Sequence, residues 1–251
     1  MTDASALITV RDLTIAYGDF VVLKDVNFSI RRGEVFIIMG GSGCGKSTLM
    51  KALIGLKAPV RGAVYYGNTN FWDAQDRDQA DLLRRFGVLY QSGALWSSMT
   101  LGENVGLPLE LYTELGEKQI REVVSFKLSL VGLSGYENRY PSELSGGMRK
   151  RAGIARAMAL DPEILFFDEP SAGLDPLTAR RLDELIVEIR EHLQTTIVLV
   201  THELASIFTV GTDAVFLDAG KRTVTARGDP KMLRDHSDQN NVRRFLRRGE
   251  A

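Results

Sequence analysis

The chain has 251 residues, 44% hydrophobic and 25% charged, with a formal net charge of −1. That length suits one large domain, or a core with an inserted lobe, and the near-neutral balance excludes a general electrostatic pull toward nucleic acid. A single cysteine, Cys44, excludes an internal disulfide, and no stretch approaches the roughly 20 apolar residues that span a bilayer. The opening "MTDASALITV" has neither the basic region nor the long apolar run of a signal peptide, so any membrane role is expected to run through a partner.

In chain order, "LITVRDLTIAY" and "VVLKDVNFSI" alternate apolar and polar residues, which predicts a half-exposed antiparallel sheet. Val35 to Met39 is continuously apolar, as in a strand buried on both faces. The next residues, "GGSGCGKS", match the phosphate-loop pattern G-x-x-x-x-G-K-[ST] through Gly40, Gly45, Lys46 and Ser47, and "STLMKALIGL" is a plausible helix behind them. Backbone amides from Gly40, Gly41, Ser42, Gly43, Cys44 and Gly45 through Thr48 are expected to curl around phosphate oxygens, with Lys46 on the β- and γ-phosphates and the Ser47 hydroxyl on Mg²⁺. Cys44 is read as a small loop residue, with a reactive thiol as the alternative.

From about Ser92 to Tyr140 there is no buried-strand run, and "EKQIREVVSFKLSLVGL" has helical spacing; a helical lobe inserted over about 92–145 is expected. At its end "ELSGGMRKRAGIARAMAL" sets Ser145, Gly146 and Gly147 before a run of helix formers. A capping hydroxyl, free amides and a helix dipole make that a second anion site. "ILFFDEP" then places Asp168 and Glu169 at the end of an apolar strand, the first read as a metal ligand and the second as the base that deprotonates a water. "TARRLDELIVEIREHL" sets Leu182, Leu185, Ile186, Ile189 and Leu193 on one helical face, and "IVLVTHE" follows with His202 just past the next strand. Ligands of open α/β sheets bind at the carboxyl ends of strands, so His202 is expected near the γ-phosphate and the attacking water. His192 and His236 are read as surface residues. Strand, helix, strand predicts a parallel sheet covered by helices. After Gly228 a polar tail, about 229–251, ends in "NNVRRFLRRGEA"; it is expected to pack on another subunit, touch anionic lipid or stay solvated, the first being favoured.

The order Tyr17, "GGSGCGKS", Gln91 in "VLYQSGALW", "LSGGM", "ILFFDEP", "SAGLD" and His202 resembles the ATP-binding subunit of ABC transporters over about residues 7–230. The resemblance implies a single α/β domain of the P-loop NTPase (RecA-like) type: a mostly parallel sheet, an N-terminal antiparallel β subdomain and an inserted helical subdomain. It implies ATP and Mg²⁺ as cofactors and a head-to-tail homodimer in which "LSGG" of one copy closes over ATP held by the other. It further implies that Tyr17 stacks on adenine, that Gln91 reaches Mg²⁺ and the water and senses the lobe, and that Asp175 links the two sites. "QSGALWSSMTLGENVGLPLEL", and Met148 where most members have Gln or Glu, resemble the Mla/Mce-type lipid transport ATPases. That resemblance implies a peripheral protein on the cytoplasmic face of the inner membrane. Its partners would be an integral-membrane permease, a periplasmic lipid-binding protein and a small cytoplasmic regulator. Leu95, Trp96, Met99 and Leu101 would either dock the permease or fill the lobe's own core. The alternative reading is a nucleotide-switched ATPase that regulates a membrane or cell-wall complex and moves no substrate.

Overall fold

The computed structural model describes residues 6–248. The alternating N-terminal runs form β1 (Ala6–Tyr17) and β2 (Phe20–Arg31), paired antiparallel with Tyr17 opposite Phe20 at the hairpin end. On the other side of β1 lie β4 (Arg61–Tyr66) and then β5 (Thr69–Asn70), giving a four-stranded antiparallel sheet. Neither β4 nor β5 is announced by a long apolar run.

A second sheet carries the site. It orders β10 (Thr223–Gly228), β9 (Asp213–Asp218), β3 (Val35–Gly40), β8 (Thr196–Val200), β7 (Ile164–Asp168) and β6 (Phe86–Leu89). Five of these strands run parallel, and β10 pairs antiparallel with β9. The predicted unit of strand, helix and strand is β7, α6 (Pro176–Leu193) and β8, with β7 and β8 adjacent and parallel.

The apolar run of β3 divides by side-chain alternation between two cores. Val35, Ile37 and Met39 join Leu165, Phe167, Ile197 and Leu199 under the helical face. Phe36 and Ile38 join Phe166, Val198 and Val200 against the antiparallel sheet and helix α1 (Lys46–Leu53). These five β3 side chains are fully buried, and each contributes about 1.5–3 kcal/mol of apolar burial. The first face of α6 is as the spacing predicts at Leu182, Leu185, Ile186 and Ile189, whereas Leu193, in the last turn, is exposed.

Between β6 and β7 lie α3 (Leu101–Tyr112), α4 (Glu117–Leu130) and α5 (Gly146–Ala157). Thr100 and Glu103 form a reciprocal capping box at the start of α3. Buried Asn104 accepts from Trp96 N at 2.8 Å and donates to the carbonyls of Trp96, Met99 and Thr100, so it fixes the loop that enters this lobe. The lobe segment divides: Leu101 is core, Leu95 packs against it, and Trp96 is 58% exposed.

A short α2 (Asp76–Leu83) follows the antiparallel sheet, and α7 (Leu204–Val210) and α8 (Pro230–His236) follow β8 and β10. The last helix, α9 (Asn240–Leu246), buries Val242, Phe245 and Leu246 in the core of its own chain, with Phe245 edge-on to Phe216 at 5.3 Å between ring centres. This corrects the favoured expectation for the tail: its apolar residues are consumed within the subunit, and Arg244, Arg247 and Arg248 are left exposed. Residues 249–251 of that segment lie outside the described residues. Among the described residues no helix is long and apolar enough to cross a membrane.

Candidate nucleotide site

Parallel register puts the key residues on one sheet edge. Ile38 and Asp168 both pair with Val200, so Gly40, Asp168 and His202 leave their strands at nearly the same level. Gln91 leaves β6 at the same carboxyl edge.

Gly40 must be glycine. Its φ is +152°, and a Cβ there would lie 2.5 Å from the carbonyl oxygen of Leu217. The loop then curls, with Gly43 and Gly45 also at positive φ and Gly45 forming the N-cap of α1. Val22 and Leu23, just past the Tyr17–Phe20 hairpin end, lie about 3 Å from where a Gly45 Cβ would be. Lys46 is buried, and its Nζ donates to the carbonyls of Gly40 at 3.1 Å and Gly41 at 3.0 Å, closing the loop on itself. Cys44 is 2% exposed, and burial raises its thiol above the usual range; this fits the small-residue reading and opposes the reactive one.

Ser47 Oγ donates to Asp168 Oδ1 at 3.4 Å, across 121 residues of sequence. Burial raises the Asp168 carboxyl, neighbouring Glu169 adds to this, and Ser47, Lys46 and Lys51 pull the other way. A hydroxyl and a carboxylate side by side at a helix start are hard oxygen donors of the kind Mg²⁺ takes, and so is the exposed Gln91 side-chain amide nearby in the fold. Glu169 is held in the left-handed region at φ +48°, a conformation that costs a non-glycine residue about 1–3 kcal/mol and is common at functional sites. The residue is 8% exposed, its Oε1 lies 2.7 Å from His202 Nδ1, and its buried Oε2 has no partner. An unpartnered buried carboxylate oxygen is costly unless a ligand or water completes it.

A second group gathers at the start of α6. Ser145 caps α5 by accepting from Met148 N at 3.3 Å. A Cβ on Gly146 would lie 3.5 Å from Leu174, and one on Gly147 would lie 2.4 Å from Thr178. Asp175 caps α6, accepting from Leu177 N and Thr178 N at 3.1 Å, and hydrogen bonding from the Thr178 side chain, then from these amides, holds its carboxyl below the usual range. So Ser145, Gly146, Gly147 and Asp175 form one cluster, while residues 40–48, Asp168, Glu169 and His202 form another. Tyr17, at the hairpin end, is 48% exposed, with Lys57 Nζ 4.6 Å from its ring centre. His192 is exposed as expected, bonded to Glu188 O in its own helix.

Sequence reading passes over two buried residues here. Lys150 of α5 is 6% exposed and reaches the backbone of Gln91 and Glu169. Asp183 of α6 is 3% exposed, accepts from Ser206 at 2.9 Å and leaves Oδ1 without a partner. For Asp183 the signal available was its place next to Leu182 on an otherwise apolar helix face.

A phosphate-cradling loop with an acid pair and histidine at the same sheet edge defines a P-loop nucleotide-hydrolase site. The ABC transporter family model matches residues 23–172. A probable ribonucleotide transport ATP-binding protein, Mkl of Mycobacterium tuberculosis, is 41% identical over 239 residues, 95% of this chain and 66% of its own length. The intermembrane phospholipid transport system ATP-binding protein MlaF of Escherichia coli is 37% identical over 241 residues, 96% of this chain and 88% of its own. Among solved structures, a dimeric post-hydrolysis state of the ATP-binding cassette MJ0796 with ADP and Pi superimposes with a TM-score of 0.78. Its identity is 31%, over 88% of this chain and 98% of that one. The chain belongs to the ABC transporter family. It spans just under two thirds of the mycobacterial relative and most of the Escherichia coli one.

Proposed function

We propose that two copies of this chain bind two ATP molecules head to tail and use their hydrolysis to drive phospholipid or other hydrophobic-substrate transport through a membrane permease. The observation that carries the dimer is the division of the site: the loop cluster and the Ser145 cluster are each half of a triphosphate cage. The MJ0796 relative is itself dimeric. In an isologous pair, each loop faces the other copy's Ser145, Gly146 and Gly147, so one sequence completes both sites.

In each site the amides of residues 40–48 cradle the phosphates and Lys46 turns from its loop carbonyls to the β- and γ-phosphates. Tyr17 stacks on the adenine. Glu169 accepts the proton of a water whose oxygen attacks the γ-phosphorus as the bond to the ADP oxygen breaks. His202, through Glu169 Oε1, orients that carboxylate. The partner's Ser145 hydroxyl and glycine amides meet the charge that spreads over the γ-oxygens, an effect realised only when the pair is closed. Ser47, Asp168 and Gln91 would hold Mg²⁺, whose charge neutralises phosphate oxygens when bound. Asp175 joins the two sites across the interface. Breaking the γ-phosphate contact opens the pair, and the Gln91 segment passes that motion to the permease.

The relatives' names point to two substrates, ribonucleotides for Mkl and phospholipids for MlaF. The lipid reading is favoured because the MlaF match spans both proteins nearly whole. It places the subunit peripherally on the cytoplasmic face of the membrane, with a periplasmic lipid-binding protein and a small cytoplasmic regulator as further partners. Purification from native membranes with identification of bound proteins and lipids tests this. A permease with co-purifying phospholipid supports it. A complex that hydrolyses ATP but carries no permease overturns transport in favour of the regulatory reading.

A further inference from the structure

One side of α5 grips the turn that carries Gln91. Lys150, Gly153 and Arg156 recur at helical spacing. Lys150 Nζ donates to the Gln91 carbonyl, and Arg156 Nη1 donates to the Ala94 carbonyl. Between them a Cβ on Gly153 would meet Gly93 O at 3.0 Å and the Leu89 side chain at 2.6 Å, so only glycine lets the turn lie this close. Gly93 takes φ +80° without cost, but Ala94 at φ +49° is strained. A left-handed alanine persists only where its surroundings hold it, and α5 supplies the hold.

Lys150 does more than Arg156. Its Nζ also lies 3.4 Å from the carbonyl oxygen of Glu169, so one ammonium spans the Gln91 backbone and the Glu169 backbone. Lysine is almost never this buried unless paired, and its partners here are these two carbonyls. Burial lowers its pKa, while the Asp168 and Glu169 carboxylates favour its charged form. The same helix presents Ser145 at its N-terminus.

We propose that Lys150 is a positioning residue that ties the Gln91 turn to the Glu169 backbone, so that the Ser145 lid and the Gln91 turn move as one body. The proposal rests on the reading of the chain as a composite-site ATPase. It gives lid closure a direct route to the catalytic carboxylate: a shift of α5 pulls on the peptide that sets the strained Glu169 backbone.

The test uses the full chain with Lys150→Met, which keeps length and removes the donor, and Lys150→Arg, which restores a cation. Three quantities are read: ATPase kcat and KM, and amide hydrogen exchange over residues 91–94. Lys150→Met is expected to lower kcat about 10–100-fold with KM for ATP within about threefold, because a small misplacement of reacting groups costs rate rather than binding. Exchange over 91–94 should quicken while α5 keeps its protection. Lys150→Arg should recover most of kcat. If Lys150→Met does not fold, Lys150→Gln, shorter and uncharged, carries the test, with faster exchange over the same turn and lower kcat expected. Unchanged kcat and unchanged exchange overturn the proposal, as does a loss that appears only in KM. Quickened exchange in a chain whose wild type lacks ATPase activity overturns the hydrolysis reading and leaves the tie in place.

Discussion

His202 Nδ1 lies 2.7 Å from Glu169 Oε1, joining the ends of two neighbouring parallel strands. The pair leaves Glu169 Oε2 buried and unpartnered, aimed by a strained backbone. In the proposed function Glu169 is the base that accepts a proton from water. Glu169→Gln keeps the shape and removes the proton acceptor. It is expected to bind ATP, to form a stable dimer on size-exclusion chromatography with ATP, and to hydrolyse at least about 100-fold more slowly. Hydrolysis at the wild-type rate would remove Glu169 from the reaction.

Gly40 is the least replaceable residue of the loop. Gly40→Ala drives a Cβ into the Leu217 carbonyl of β9, a backbone atom that cannot swing away. A loss of roughly 2–4 kcal/mol is expected from overpacking and the unfavourable φ together. Denaturant unfolding, with ATP binding by equilibrium dialysis, measures both consequences. A stable, fully binding variant would contradict the loop geometry.

Asp183 gives a pH signature. Burial lifts its carboxyl from 3.8 to about 6, with Glu184 and Glu203 adding to this and the Ser206 hydrogen bond opposing it. The folded value is above the unfolded one, so the folded state holds the proton more tightly. The resulting stability is complete below about pH 4 and is lost as pH rises to about 6. Asp183→Asn should therefore match the wild type at pH 4 and exceed it at pH 7 by up to about 3 kcal/mol, at 1.36 kcal/mol per pKa unit. Urea unfolding at the two pH values checks the sign. Equal stability of the two proteins at pH 7 would refute it.

The tail helix makes a prediction about one chain alone. Phe245 is 3% exposed and packs edge-on against Phe216. Phe245→Ala should cost about 3–5 kcal/mol, and it should do so independently of protein concentration and of ATP. A loss that grows on dilution would return the tail to the subunit interface.

The sequence carries the buried parallel strands better than the edge strands. The loop at 40–48, the acids at 168 and 169 and His202 each follow a fully buried parallel strand, and such strands declare themselves as unbroken apolar runs. β4, β6 and β10 do not. "RGAVYY" is broken by glycine, "FGVL" is short with Gly87 wedged under the Ala157 carbonyl, and "TVTARG" is half-exposed at a sheet edge. Their pairing is decided by neighbours far along the chain, which no local pattern records. The same holds for Lys150. In "GGMRKRAG" it reads as one more solvated cation, and its burial follows only from how closely Gly153 lets the Gln91 turn approach α5. The tail misleads for the opposite reason: four arginines draw attention away from Val242, Phe245 and Leu246, which fill the core.

The central claim is that each triphosphate is enclosed by two copies of the chain. The most direct measurement is a structure of the Glu169→Gln protein with MgATP. The account predicts a dimer in which the Ser145 hydroxyl of each copy lies at about 3 Å, hydrogen-bond distance, from the γ-phosphate held by the other copy's Lys46 loop. A nucleotide-filled assembly with Ser145 turned to solvent, or toward the ATP of its own chain, would contradict it.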